Sequence, residues 1–279
     1  MFVSGSRAAH KQPQVYEKDL YTGQERRITY QNGGNMHPRY HPKENLIVYA
    51  SSTDELKENP PMLNPNATVS KLPLPYQAPT EVYLHSLGAL EVTRLSNRFG
   101  FDGEPHFSND GREIVWTRVT NQKTEIVTIH RTTQLSHTLK NLGTNPTQLV
   151  VSRDGKTMAW IDWDETFGVA RLRVQKGKEK PVEIGAENIV HKTDLSFSFD
   201  SNWLLWAQKD SKLPVYDLWA LDLDGLCSRR LTTSSDGERR HPTLSPDMSW
   251  LTYTWVRHER SRIARTRFEP PAGSCPTPP

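Results

Sequence analysis

Five polar residues recur at matched places in this sequence, and their side chains are of the kinds that bind cations. Each stands four residues before a serine or its equivalent, at the expected entrance of a short strand that leads into a turn. The set combines two imidazoles, two carboxylates and one amide: His37, Glu104, Gln148, Asp194 and His241. If they converge, this mixture of nitrogen and oxygen donors suits a divalent cation, Mn²⁺, Zn²⁺ or Ca²⁺. The alternative is that they only line a water-filled channel mouth and cap turns.

Three arginines lie beside these positions, and they predict a site for an acidic ligand. They are Arg39, Arg239 and Arg240. A guanidinium pairs with a carboxylate through two parallel N–H donors, so an acidic sugar or a carboxylate terminus would fit. The alternative is that they pair with the neighbouring Asp236 and Glu238. The sequence has no Gly-x-Ser-x-Gly elbow and no glycine-rich phosphate loop, so we assign no catalytic residue.

The elements that must position these residues form an internal repeat. Each copy has a short strand that ends in Ser or its equivalent, a turn of the Asp-Gly kind, and an apolar strand with an aromatic residue near its end. The anchoring residues are His41, Ser108, Ser152, Ser198 and Ser245. Three of the four spacings are 44 to 47 residues, close to the length of a four-stranded propeller blade.

Each repeat adds two more short strands that alternate polar and apolar residues, which is typical of half-buried strands. Turn signals follow every strand and no long helical pattern occurs, so the sequence predicts an all-β fold. We therefore expect a six-bladed β-propeller of four-stranded antiparallel blades, as one domain over residues 1–268. The first blade lacks its innermost strand and the last lacks its outermost strand. The missing inner strand leads us to expect a native start upstream of Met1.

One spacing is longer because residues 53–80 form a proline-rich insertion in the second blade, which we expect to be a long loop. It would stand beside the channel mouth, either as a lid or partner-binding arm or as a passive loop on the rim. It contains the sequon Asn66-Ala67-Thr68, which is uninformative in a bacterial protein. Residues 269–279 form a proline-rich tail.

The composition limits the kinds of partner that the protein can bind and the cellular compartments that suit it. A formal net charge of +3 without a long basic block gives no footprint for nucleic acid. No apolar run approaches the ~18 residues of a membrane span, and we expect a monomer. The two cysteines, Cys227 and Cys275, either form a disulfide that fixes the tail or remain two free thiols. The N-terminus as written carries no signal peptide.

The repeat resembles the TolB-type β-propeller family. The resemblance rests on the Pro-x-aromatic-Ser-x-Asp-Gly turn, the apolar second strand, and a Tyr- or Trp-bearing third strand before Asp-x-x-Gly and Arg-Arg-Leu-Thr. Residues 104–118 and 216–247 carry it best. The 279 residues hold the propeller repeats without the N-terminal α/β domain of TolB. The resemblance implies a soluble periplasmic or exported platform that engages a protein or peptide at the channel mouth.

We therefore expect a non-enzymatic, TolB-like protein- or peptide-binding scaffold of the bacterial cell envelope. The alternative is a metal-dependent polysaccharide lyase or hydrolase of the oligogalacturonate type, because those lyases resemble this propeller and hold a metal through His and Gln at the channel. A third reading is a detached regulatory propeller of a larger peptidase system. Fold alone does not decide between them, because propellers support many functions.

Overall fold

The computed structural model describes residues 1–4, 12–54, 79–89, 91–98, 100–120, 123–164, 168–185, 189–210, 215–233, 236–258 and 260–270. The predicted class is confirmed: the protein is a six-bladed all-β propeller, and no helix occurs in those ranges. None of the described segments is a helix able to cross a membrane. The insertion sequon and most of the tail lie outside the described residues.

The strands fall into six antiparallel sheets in two compact units, Met1–Asn141 and Leu142–Pro279. The first sheet is β1 (Phe2–Ser4), β2 (Gln14–Lys18) and β3 (Glu25–Arg27). The second is β4 (Asn35–Tyr40), β5 (Leu46–Ser51), β6 (Glu81–Ser86) and β7 (Val92–Arg94). The third is β8 (Phe101–Phe107), β9 (Glu113–Val119), β10 (Thr124–His130) and β11 (Ser136–Thr138).

The second unit holds the other three sheets. The fourth is β12 (Pro146–Val151), β13 (Thr157–Asp164), β14 (Val169–Lys176) and β15 (Val182–Ile184). The fifth is β16 (Ile189–Phe197), β17 (Trp203–Asp210), β18 (Asp217–Asp222) and β19 (Cys227–Arg230). The sixth is β20 (Glu238–Leu244), β21 (Trp250–Arg257) and β22 (Arg260–Arg267). The first and last sheets have three strands, as predicted from the repeat phase.

Apolar residues of neighbouring sheets form the cores within each unit. In the first unit, Val48 and Val82 of the second sheet pack with Ile114 and Trp116 of the third. In the second unit, residues of the fifth and sixth sheets form a similar cluster that includes Leu205. Within each unit, the second and third strands bury apolar side chains between neighbouring sheets.

A Ser-x-Asp turn joins the first two strands of several blades by the same hydrogen bonds. In the third sheet, Ser108 Oγ donates to Asp110 Oδ1 over 2.8 Å and accepts from Glu113 N over 3.0 Å. His41 takes the place of the serine in the second sheet. Its Nδ1 accepts from Glu44 N over 2.7 Å, and its Nε2 lies 3.2 Å from the carbonyl oxygen of Gly111.

The fourth strands are held by a motif of threonine and arginine. Thr232 Oγ1 accepts a hydrogen bond from Leu218 N over 3.0 Å and donates to Asp217 Oδ1 over 2.9 Å. Arg230 pairs with the same carboxylate. The second sheet repeats the arrangement with a serine for the threonine, in Ser96, Glu81 and Arg94. This explains why arginine, leucine and a hydroxyl residue follow one another at the outer strands of both sheets.

Cys227 begins β19 and is disulfide-bonded, so the reading with two free thiols is wrong for this residue. The other cysteine of the chain, Cys275, lies outside the described residues.

We expect Thr232→Val to lower the free energy of unfolding by about 1–3 kcal/mol, because it leaves the Leu218 N–H and the Asp217 carboxylate without this hydroxyl. Urea denaturation followed by tryptophan fluorescence measures the change. The matched control is Thr233→Val at the adjacent exposed position. An equal effect of the two substitutions would contradict the structural role of the motif.

Candidate functional site

The five sequence-predicted positions share one backbone conformation. Each has a positive φ, in the left-handed region: His37 52°, Glu104 54°, Gln148 53°, Asp194 62° and His241 53°. Non-glycine residues rarely adopt this conformation, because Cβ crowds the following carbonyl oxygen at a cost of roughly 1–2 kcal/mol. None of the five is glycine, although glycine would relieve the strain.

The strain arises at a β-bulge in the innermost strand of each of these blades. Two residues of the inner strand oppose one residue of the second strand, as at His37 and Pro38 opposite Tyr49. The single opposing residue is in each blade the recurrent aromatic: Tyr49, Trp116, Trp160, Trp206 and Tyr253. A bulge bends the strand and redirects side chains, so it sets where these polar groups point.

The structure corrects the expectation that these residues stand at the entrance of the inner strand. They lie within it: β4 begins at Asn35 and β8 at Phe101, ahead of His37 and Glu104. The polar, proline-containing bulge resembles a turn in the sequence, and proline is tolerated there because a bulge leaves a ladder donor unused.

In the second unit the predicted side chains link neighbouring inner strands. Gln148 Oε1 accepts a hydrogen bond from Asp194 N over 2.7 Å, and its Nε2 donates to Thr193 Oγ1 over 2.9 Å. One blade further on, Asp194 Oδ2 accepts from His241 N over 3.0 Å. Gln148 and Asp194 therefore each accept a hydrogen bond from the bulged backbone of the next blade.

Asp194 is also the centre of an ion-pair cluster. Arg240 Nε donates to its Oδ2 over 2.6 Å and Arg240 Nη2 to its Oδ1 over 3.2 Å, while His241 Nε2 lies 3.6 Å from Oδ1. Burial favours the neutral carboxyl, but His241, Arg240 and the His241 N–H outweigh burial and hold the pKa of Asp194 well below its ordinary value. The Arg240 guanidinium also lies over the ring of Tyr216, 4.4 Å from its centroid.

The predicted ligand-binding arginines have partners in the protein. Arg239 lies 3.2 Å from Asp236, as the pairing alternative predicted, whereas Arg240 pairs with Asp194 and not with Glu238. Arg240 Nη1 has no hydrogen-bond partner within the described part of the chain. In the first unit, Arg39 is exposed at the end of β4. Pairing within the protein leaves Arg240 one free edge and His241 an exposed imidazole, with 60% of its side chain accessible.

In the first unit, the other two predicted residues, His37 and Glu104, contact different neighbours. Glu104 Oε2 accepts from Thr117 Oγ1 over 3.0 Å, and the His37 ring contacts Phe101 edge-on with centroids 6.3 Å apart. Across the described ranges, no three His, Cys, Asp or Glu side chains gather as a cation-binding cluster. The divalent-cation site stays a prediction.

Sequence reasoning missed two buried titratable residues. Lys192, beside the bulge of β16, donates from Nζ to the carbonyl oxygens of Ile184 and Gly185, each over 2.9 Å. Burial lowers its pKa to about 8, with Arg171 adding to the effect and Glu183 opposing it. His106, two residues after Glu104, lies buried in β8. A lysine or histidine inside a strand of otherwise alternating pattern is the signal that could have found them.

Comparison with solved structures supports the fold. The protein is similar to TolB from Acinetobacter baumannii, with 17% identity and a TM-score of 0.72 over 95% of this chain and 60% of that chain. It is also similar to a putative TolB from Agrobacterium tumefaciens, with 14% identity and a TM-score of 0.69 over 91% of this chain and 84% of that one. This chain therefore spans about 60% of the length of the Acinetobacter protein.

A third similar structure is an oligogalacturonate lyase in complex with manganese, with 15% identity and a TM-score of 0.51 over 91% of this chain and 69% of that chain. No protein-family model matches the sequence, and no curated protein matches it. At these identities the similarity shows the propeller fold, as the sequence resemblance predicted, and nothing about chemistry.

We expect Asp194→Ala to lower the free energy of unfolding by about 3–5 kcal/mol, because it removes the partner of the part-buried Arg240 guanidinium and of the His241 N–H. Urea denaturation measures the change. Glu179→Ala, an exposed carboxylate in the turn after β14, is the control, with an expected effect within about 0.5 kcal/mol. If the two variants lose equal stability, the cluster does not hold the inner strands.

His106 predicts a pH dependence of stability. Burial, with the Arg39 charge adding to it and a hydrogen bond to the backbone of Glu104 opposing it, lowers its pKa from 6.5 to about 4. Below pH 6.5 the unfolded chain therefore binds a proton that the folded state does not. The free energy of unfolding is not lowered by His106 above pH 6.5, and it decreases as the pH falls towards 4, by up to about 1.4 kcal/mol per pH unit.

The variant His106→Phe removes this titration and should flatten that part of the stability profile between pH 6.5 and 4. The measurement is a series of urea midpoints across this range, with His137→Phe on the exposed strand β11 as the control. A wild-type slope retained in His106→Phe would contradict the assignment.

Proposed function

We propose that this protein is a non-enzymatic, TolB-like propeller that binds a protein or peptide in the bacterial cell envelope through its inner-strand bulges. The observation that carries the proposal is His241, whose exposed imidazole stands on a strained left-handed backbone beside the free edge of Arg240. The bulge redirects this side chain, so that most of the imidazole reaches solvent. An imidazole and a guanidinium edge side by side suit a peptide carboxylate.

The neighbouring groups support binding more than catalysis. Gln148 and Asp194 are engaged with the backbone of the next blade, and both Asp194 oxygens already accept charged donors. A general base or a metal ligand needs a lone pair directed at its target. The periplasmic or exported location follows from the resemblance to TolB alone, and it is part of this proposal.

The test is capture of partners from periplasmic and membrane fractions of the source cells by the tagged protein, compared with His241→Ala and Arg240→Gln. The control is Lys156→Glu, whose side chain is 82% exposed in a turn of the fourth sheet. We expect wild type and Lys156→Glu to retain one envelope protein or peptide. The His241 variant should capture at least about tenfold less of it. Equal retention by all variants would contradict binding at the bulges.

The lyase alternative is tested by the same proteins. Titration calorimetry with Mn²⁺ on chelator-treated wild type should show no stoichiometric binding. One equivalent of tightly bound Mn²⁺, lost in His37→Ala/His241→Ala, would overturn the non-enzymatic proposal and redirect the work to acidic oligosaccharides.

A further inference from the structure

The outermost strand of the sixth sheet differs from its counterparts in charge and exposure. β22 carries four arginines in eight residues and is exposed at seven of its eight positions. Its counterparts β6 and β18 are largely buried. In the described chain the sixth sheet ends at β22, whereas a fourth strand covers the third one in the four-stranded sheets.

Ion pairs join the third and fourth strands of the second, fourth and fifth sheets. In the second and fifth sheets the acid is on the third strand and the arginine on the fourth, as in Asp217 with Arg230. The fourth sheet reverses the signs. There Arg171 of β14 donates to both carboxylate oxygens of Glu183 on β15, over 3.1 and 3.2 Å.

The register identifies the matching residue of β22. Arg171 lies two residues before Arg173, which pairs with the recurrent aromatic Trp160. In the sixth sheet the aromatic Tyr253 pairs with Ala264, so the matching residue is Arg262. The sixth sheet therefore has an arginine on its third strand, as the fourth sheet does. By this comparison, the strand that pairs with β22 should carry an acidic residue.

The same end of β22 holds a hollow with unmatched polar groups. A cavity of about 470 Å³ is lined by Trp255, Arg257, His258, Arg260 and Arg262. The indole N–H of Trp255 is buried with no hydrogen-bond partner in the described ranges. Arg257 and Arg260 face each other across the hairpin, a like-charge pair that destabilises a sheet unless an anion joins it.

Across the described residues, the three arginines of this hollow form no ion pair. Other arginines of the unit, such as Arg171 and Arg240, have carboxylate partners. A carboxylate that entered the hollow would accept hydrogen bonds from both the guanidinium groups and the indole N–H. The hollow therefore favours a negatively charged ligand.

We infer that the outer edge of β22 binds an extended acidic peptide segment of a partner protein, which adds as the fourth strand of the sixth sheet. Backbone hydrogen bonds along the edge would give affinity, and a Glu or Asp opposite Ala264 would meet Arg262 as Glu183 meets Arg171. The surface differs from the inner-strand bulges, so the inference stands whether or not the proposed function does.

Charge argues against two other occupants of this edge. Residues 271–279 contain no acidic residue and four prolines, so this segment lacks the carboxylate and has four positions without an N–H donor. A second copy pairing through its own β22 would bring arginine against arginine. An acidic strand from a different protein satisfies both requirements.

The experiment uses the whole protein and a fluorescein-labelled peptide, Thr-Val-Glu-Val-Glu-Val-Thr, read by fluorescence anisotropy. We expect saturable binding that Arg262→Glu weakens at least about tenfold, while Lys156→Glu, an exposed cation far along the chain, changes it less than about twofold. Arg262→Glu should bind the matching Lys peptide better than wild type does. His241→Ala should bind like wild type.

Two further measurements separate strand addition from simple charge attraction. A peptide with proline at the central Val should lose binding, because proline removes an edge hydrogen bond. Backbone amides of residues 260–267 should exchange hydrogen more slowly in the complex. Equal binding of the proline peptide, tighter binding of a single-stranded oligothymidine, or no binding of the acidic peptide to wild type would each overturn the inference.

Discussion

The bulge in the innermost strand is the constraint on which the placement of the five recurrent polar residues depends. It sets two inner-strand residues against one aromatic residue, and the aromatic is buried between sheets, as Trp160 and Trp206 are. Burial of so large a side chain fixes the second strand. The inner strand must then absorb the extra residue, and it does so with a left-handed polar residue whose side chain is directed away from the ladder.

This arrangement explains how packing and polar chemistry coexist in one blade. The aromatic supplies the apolar stabilisation, and the polar residue satisfies the backbone that the bulge has left unpaired, as Gln148 does for Asp194. The second unit thus carries a chain of contacts that runs from blade to blade. This chain of contacts ends on His241, whose imidazole is exposed, so the same device that stabilises the inner strands also brings a polar group to the surface.

The repeat made most of the fold predictable. Evenly spaced anchors such as Ser108 and Ser152, turn residues and alternating strands each specify a blade, and consistent local signals of this kind indicate one architecture. The five polar positions were found because they recur in phase. Their left-handed backbone was not foreseen, because a bulge depends on pairing between strands and leaves only an ambiguous polar signal in one of them.

Partners were predicted least well, because sequence proximity is a poor guide to contact between blades. The alternative to ligand binding paired the arginines with Asp236 and Glu238, but Arg240 pairs with Asp194, one repeat earlier in the chain. The reversed charge order of Arg171 and Glu183 was equally invisible until the register was known. Within a propeller, neighbours in space lie one blade away, so the relevant comparison is between repeats.

His41 shows that a residue of one blade can restrict the substitutions allowed in the next blade. Its imidazole fills the place of a serine and reaches the next blade, where it occupies the space that a Cβ on Gly111 would need. The two positions are therefore epistatic. A side chain at 111 would clash with the imidazole of His41. A substitution of Gly111 therefore requires that residue 41 be replaced by a smaller residue first.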